Sequence, residues 1–285
     1  MQPLFKAEYQ SLGEEVKGDI LTQYNLERKL SDRLRQAGKN QRLNLYQEVY
    51  DEFFKSLPRH SMVLRKKDAA TRTDRAKRHA SLILPFLKNT DTFMEVGAGD
   101  CGLSFEISHY AKSVIAIDVS EEITKNPNRP DNFRLVLTEG VSINVPLETV
   151  HVTFSNQVME HLHPDDALTQ LRNISKSLVK GGLYICLTPH RYLGPHDISK
   201  YFHNEPVGFH LKEYTHAELN HLFRQGGFSK IYMISGIRGR RVKLPIAAAI
   251  FVESLIQSFP HEFRRKLARL IVFRKFINAH ILAVK

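Results

Sequence analysis

The chain has 285 residues, 42% of them hydrophobic and 25% charged, enough for one large domain or two small ones. That composition excludes a wholly disordered chain, a collagen-like chain and a disulfide scaffold; the two cysteines, Cys101 and Cys186, point instead to a reducing, cytoplasmic setting. Lysine and arginine outnumber aspartate and glutamate by 41 to 30, and a net charge of +11 invites an anionic partner.

The charge is uneven along the chain. Residues 1–90 carry net +7, residues 91–190 net −6 and residues 191–285 net +10. An acidic middle with chemistry of its own therefore sits between two basic flanks. The first flank opens on MQPLFKAEYQSLGEE, which lacks the apolar stretch of a signal peptide. It continues with helical patterns. Leu26, Leu30 and Leu34 form one stripe over residues 25–37, and Tyr46, Val49, Tyr50, Phe53, Phe54 and Leu57 recur at helical spacing up to Pro58. A third helix is expected over residues 73–87.

The middle alternates strand and helix. Strands are expected at 92–96, 113–119, 133–137, 150–155 and 183–187. Helices are expected at 103–110 and 165–178, the second stopped by Gly181 and Gly182. Such alternation implies a parallel sheet with right-handed crossovers and a ligand at the carboxyl ends of the strands. Beyond it, residues 230–235 and 278–284 form two more strand candidates. Helices at 244–258 and 261–273 lie between them. The apolar run over 244–259 contains Glu253 and falls short of the ~20 residues of a membrane helix.

Chemistry concentrates where the first strand meets its glycine turn. Glu95-Val96-Gly97-Ala98-Gly99-Asp100-Cys101-Gly102 fits a nucleotide-binding turn between strand and helix, and Asp118 closes the next strand where a ribose diol could be held. A nicotinamide dinucleotide and S-adenosylmethionine both fit this pattern. Glu95, two positions before Gly97, favours a cationic sulfonium donor with a free ammonium over a pyrophosphate. Glu139 in Thr138-Glu139-Gly140, after the third strand, is placed to read an adenine amino group. Asn156 opens the segment Asn156-Gln157-Val158-Met159-Glu160-His161-Leu162 after the fourth strand.

Taken jointly, EVGAGDCG (95–102), AIDVS (116–120), LTEG (137–140), FSNQVMEHLHPDDA (154–167) and LVKGGLYICLTP (178–189) resemble the class I S-adenosylmethionine-dependent methyltransferases, in their small-molecule branch. The likeness spans roughly residues 75–236 and includes the loop Phe209-His210-Leu211-Lys212-Glu213-Tyr214-Thr215. It implies an α/β, Rossmann-like, seven-stranded and mostly parallel sheet whose last strand is antiparallel. It also implies a methyltransferase that uses S-adenosylmethionine. Cofactor contacts carried over onto this chain are Glu95, Gly97, Ala98, Gly99, Asp118, Val119, Glu139, Gly140 and Asn156. Two positions depart from the pattern: Cys101 stands where a third glycine is usual and would crowd the cofactor slightly, and His151 replaces an acidic residue at the start of the fourth strand.

The remaining expectations concern the acceptor. Residues 1–72 form a helical extension, residues 73–285 the methyltransferase domain and residues 237–276 a helical insertion before the last strand. Extension and insertion together form a lid. The loop at 188–203, rich in polar and aromatic groups, caps the substrate. His161, His190, His196 and His210 fall above the carboxyl edge of the sheet. His190 and then His161 are the candidate general bases. The histidines and Asp197 match no compact metal-ligand spacing, so no metal is expected. The acceptor is a small molecule, with oxygen favoured as nucleophile, and an anionic, lipid-linked or sugar-linked one suits the basic flanks. Those flanks include Arg65-Lys66-Lys67, Arg238-Gly239-Arg240-Arg241 and Arg264-Arg265-Lys266. The helix over residues 263–276 is compatible with peripheral contact on an anionic membrane. No RNA-binding module is recognisable, and no nucleic-acid partner is expected. The competing readings are a catalytically silent binding protein on the same fold and an NAD-dependent oxidoreductase.

Overall fold

The computed structural model describes residues 3–57, 69–120, 129–237 and 240–285. Arg65-Lys66-Lys67 and Arg238-Gly239 lie outside the described residues. The first two helices are α1 (Glu14–Gln36) and α2 (Lys39–Ser56). Helix α1 has Glu14 and Glu15 in its first turn and Arg33 and Arg35 in its last, which complements the helix dipole. It buries Ile20, Tyr24, Glu27, Leu30, Ser31 and Leu34, a stripe at helical spacing. Helix α2 buries Arg42, Tyr46, Val49 and Phe53 in the same manner. Helix α3 (Ala69–Ile83) follows, and a 3-10 turn containing Pro85 ends it.

The sheet begins with β1 (Thr92–Val96), α4 (Gly102–Ser108), β2 (Ser113–Asp118), β3 (Phe133–Leu137) and β4 (Val150–Asn156). It continues with α5 (Pro164–Ser177), β5 (Leu178–Leu187), α6 (His216–Gln225), β6 (Lys230–Ile237) and β7 (Arg240–Pro245). The chain closes with α7 (Ile246–Ile256), α8 (His261–Arg269), α9 (Ile271–Arg274) and β8 (His280–Val284). The strand order is β3-β2-β1-β4-β5-β8-β6-β7. Strands β1 to β5 pair in parallel, while β8 runs antiparallel to both β5 and β6.

Two expectations are corrected. The sheet has eight strands among the described residues, because β7 folds back on β6 as an antiparallel hairpin at the edge. The region 237–276 is therefore not purely helical. Gly181 and Gly182 do not stop a helix: α5 ends at Ser177, and both glycines lie inside β5. Gly181, at φ +78°, takes up the irregularity where Val150 opposes Leu178 but Val152 opposes Leu183.

One face of the sheet packs Met94, Val96, Tyr184 and Cys186 against α2, α5 and α6, through Tyr46, Val49, Leu171, Ile174 and Phe223. The other packs Phe93, Val152, Phe154 and Ile185 against α3 and α4, through Ile83, Leu103 and Ile107. His151, at the start of β4, accepts the Thr92 N–H on Nδ1 at 3.1 Å and so anchors neighbouring strands. No helix among the described residues is long and apolar enough to cross a membrane.

Candidate active site

A cavity of about 740 Å³ opens above the carboxyl ends of β1, β2 and β4. The turn after β1 forms its floor. Gly97 and Gly99 adopt left-handed backbone, at φ +73° and +53°, which glycine reaches without penalty. Both the Gly97 and Ala98 N–H groups donate to the Ile117 carbonyl, at 2.8 and 3.1 Å, so the turn is stitched to the end of β2. A Cβ at Gly99 would meet nothing within 4 Å. The space above that glycine is open to a ligand.

Asp118 organises the same turn. One carboxylate oxygen accepts the Gly99 N–H at 2.7 Å; the other accepts the N–H groups of Val119 at 2.8 Å and Ser120 at 3.2 Å. Burial raises its pKa, and these three donors work against that shift. Asp118 lines the cavity where the sequence places a ribose-binding carboxylate, and the three donors make it part of the turn's architecture as well.

Glu95 lies beneath the glycines, buried, and accepts the Ser104 hydroxyl at 2.6 Å. Burial, with smaller contributions from Asp100 and Asp118, pushes its pKa to about 8. The folded protein therefore holds a proton that the unfolded chain, at its ordinary 4.5, has released. The stability of the ligand-free protein should fall as pH rises from about 4.5 through about 8. Glu95→Gln removes that dependence. Calorimetric melting without ligand should show the variant gaining on the parent by a few degrees between pH 5 and pH 8.5. A gap that does not change with pH would contradict this.

Of the other residues assigned from sequence, Gly97, Ala98, Gly99, Val119, Gly140, Asn156 and His161 line the cavity with Glu95 and Asp118. Glu139 and His190 do not line it. The Glu139 carboxylate is taken up by the N–H and hydroxyl of Ser142. His190 is buried beyond the end of β5, with Nε2 2.5 Å from the Glu253 carboxylate of α7. Burial, set against that hydrogen bond, presses the His190 pKa down to about 4. Cys101 does not crowd the cavity: its side chain packs with Ala98 and Ala116 behind the turn, in left-handed backbone at φ 57°.

The rest of the cavity wall comes from segments remote from the turn in the chain. Helix α1 contributes Glu27, whose carboxylate accepts Gln23 Nε2 at 2.6 Å and the Phe209 N–H at 3.2 Å; burial raises its pKa to about 7. Helix α2 contributes Tyr50, stacked on Phe209 with ring centroids 5.4 Å apart. The 190s loop contributes His196, Asp197 and Lys200, and His210 closes the wall beside His161. Burial lowers the His161 pKa to about 3, with the His210 charge adding to the effect. Burial would also lower His210, but the Glu213 carboxylate 2.7 Å from its Nδ1, with Glu160 and Asp197 nearby, raises it to about 9. Glu27 and Asp197 carry no local signal, since nothing in an amphipathic helix or a polar loop marks the carboxylate that turns inward.

These residues suit a cationic cofactor. Glu95, Asp118 and Glu27 are buried carboxylates whose ionised forms an ammonium or sulfonium would stabilise. A pyrophosphate would add negative charge to the same space, which disfavours the nicotinamide reading.

Residues 94–186 match the family described as "Methyltransferase domain". No curated protein matches the chain at a comparable level. Among solved structures, the chain is similar to one from the complex between the Haloferax volcanii Trm112 methyltransferase activator and a methyltransferase. That match has 16% identity and a TM-score of 0.55, over 81% of this chain and 96% of that one. It is also similar to a structure described as an O-methyltransferase from Nostoc punctiforme PCC 73102, with 13% identity and a TM-score of 0.51. The latter match covers 79% of this chain but only 60% of the other. At such identities the likeness is one of fold, and the domain match carries the activity. On this sheet, with an acidic cavity at its carboxyl edge, the chain carries a methyltransferase domain over residues 94–186, and S-adenosylmethionine is its cofactor.

Proposed function

We propose that the protein methylates a small molecule bearing an anionic group, oxygen being the favoured nucleophile, beneath a cap made by residues 1–72 and the insertion at 237–276. One observation carries the reading: a second cavity, of about 460 Å³, adjoins the first and shares His196 and Lys200 with it. Lys200, Arg265, Arg269 and Arg274 line this cavity, and no carboxylate does. Lys200, Arg269 and Arg274 form no ion pair among the described residues, whereas Arg265 is 3.2 Å from Glu8. Unpaired guanidinium groups in a concave wall suit a phosphate or a carboxylate. Between Arg269 and Arg274, Leu270, Ile271 and Val272 are exposed. That mixture supports an amphiphilic acceptor, or contact with an anionic membrane surface.

On the donor side, Glu95 would attract the methionine ammonium and Asp118 with Val119 would hold the ribose. Gly97, Ala98 and Gly99 would admit the cofactor's backbone-hugging arm, with Gly140 and Asn156 flanking it. Glu139 would reach the adenine only by releasing Ser142. S-adenosylmethionine, when bound, supplies a methyl carbon already activated by a positively charged sulfur. Positioning can then provide much of the rate, about 7–11 kcal/mol in favourable cases. A base is required only for a protonated nucleophile. His161 lines the cavity; His190, held by Glu253, would act there only indirectly.

Calorimetric titration should show binding of S-adenosylmethionine and of its demethylated product; no response at millimolar concentration sinks the methyl-transfer reading. With labelled cofactor, transfer should appear on phosphate-bearing extract fractions, offered either as soluble phosphomonoesters or in anionic lipid vesicles. Arg269→Ala/Arg274→Ala should raise the acceptor KM at least tenfold and leave cofactor affinity unchanged. An unchanged KM removes the anionic-acceptor reading alone.

A further inference from the structure

We propose that Glu160, His161 and His210 form a divalent transition-metal site in the wall of the cofactor cavity. One ligand atom from each of the three side chains lies within 4.8 Å of the others. Three ligands each ~2.1 Å from a tetrahedral ion stand about 3.4 Å apart, so side-chain movements that bring each pair closer by up to about 1.4 Å complete the site.

The surroundings of each ligand carry the argument. Glu160 follows β4 and is completely buried; Oε2 accepts the Thr188 hydroxyl at 2.9 Å, and Oε1 has no partner. A buried carboxylate oxygen without a donor costs free energy that a cation would recover. His161 has Nδ1 3.0 Å from the Phe209 carbonyl, and His210 has Nδ1 2.7 Å from the Glu213 carboxylate. Metal-bound histidines are commonly held in this way, the second ring nitrogen donating to a carbonyl or a carboxylate. That leaves Nε2 of each ring for an ion. Both histidines line the cavity, so the remaining coordination positions open where an acceptor would lie. Two imidazoles and one carboxylate suit iron, manganese, cobalt or zinc rather than calcium or magnesium.

A second cluster, His190, His216 and Glu253, meets the same distance limit but not the same chemistry. The Glu253 carboxylate already accepts His190 Nε2, His216 Nδ1 and the N–H groups of His216 and Ala217, at 2.5, 2.7, 2.5 and 3.2 Å. No buried atom there lacks a partner, and the cluster does not line the cavity. The spacing of 160, 161 and 210 matches no compact signature. A sequence reading therefore expects no metal.

The ion would orient an acceptor oxygen beside the methyl donor, with His161 a ligand rather than a base. This role rests on the methyl-transfer reading, but the binding does not. The full chain, stripped with chelator, is titrated with cobalt or zinc alone, without cofactor or acceptor. One equivalent should bind at micromolar affinity or tighter, with the cobalt absorption of nitrogen-ligated metal. Glu160→Gln and His210→Gln should each weaken binding at least tenfold, and Glu253→Gln should not. Circular dichroism and cofactor titration on each variant report folding independently of the metal. No saturable binding by the parent, or equal binding by folded Glu160→Gln and His210→Gln, overturns the proposal. Loss of binding in Glu253→Gln alone also overturns it. A parent that binds metal but no cofactor would sink the methyl-transfer reading and leave the metal site standing.

Discussion

Asp166→Ala is expected to lower the melting temperature by about 10 °C, measured by calorimetry at neutral pH. Asp166 sits in the first turn of α5 with a fully buried side chain, and its oxygens meet Arg42 of α2 at 2.6 and 3.1 Å. Tyr46 donates its hydroxyl to the same carboxylate at 2.9 Å. The Arg42 side chain is only 4% exposed. Truncating the aspartate leaves a guanidinium in the interior with the Ala37 carbonyl at 2.8 Å and the exposed Asp165 at 3.7 Å. An uncompensated buried charge of this kind costs about 3–5 kcal/mol. The ion pair also fastens α2 to the methyltransferase domain, and α2 carries Tyr50, Phe53 and Phe54 to the cofactor cavity. Cofactor affinity should therefore fall as well. Arg42→Met/Asp166→Leu removes both charges at once and should recover most of the stability. A double variant as unstable as Asp166→Ala would mean that the lost charge balance is not the cause.

Gly97→Ala should be nearly as damaging, with a loss of about 2–4 kcal/mol and of cofactor binding. Left-handed backbone costs a residue with a Cβ about 1–2 kcal/mol. The added Cβ would also run into the Val158 side chain, which follows β4 on the same cavity wall. Val158→Ala in the Gly97→Ala background should restore about half of the stability, since it removes the collision and not the backbone strain. Gly99→Ala is the comparison: it shares the backbone strain but meets no neighbour, so its effect should fall mainly on cofactor affinity. Equal destabilisation by the two alanines, without rescue by Val158→Ala, would refute this account.

The parallel core was legible because each strand is a short apolar run closed by a polar residue or a glycine. The turn at 95–102, Asp118 and Asn156 could be assigned for the same reason: they follow strands directly, and a parallel sheet brings strand ends together. What escaped the sequence depends on contacts between remote segments. Strand β7 is Arg-Arg-Val-Lys-Leu-Pro, too short and too basic to show an apolar alternation, and it exists because β6 offers it an edge. Glu27 reaches the cavity from α1 and is fixed by a partner far along the chain, the Phe209 N–H. His190 was legible as a polar group past β5 but not as Glu253's partner, because the pairing requires α7 to fold back over the sheet. The Thr215 and Glu218 capping box explains why the Phe209–Thr215 loop is followed so promptly by α6.

The placement of β8 between β5 and β6 has a consequence for how this chain came to carry its basic cavity. Ile237 and His280, where β6 ends and β8 begins, belong to antiparallel neighbours, so a turn of a few residues would suffice to join them. Lengthening such a connection tenfold costs only ~2 kcal/mol of loop-closure entropy, because the cost grows with the logarithm of length. The hairpin and α7 to α9 can therefore be accommodated without altering the register of any strand beneath the cofactor. Recognition of the acceptor can change at this junction while the methyl-donor side stays as it is.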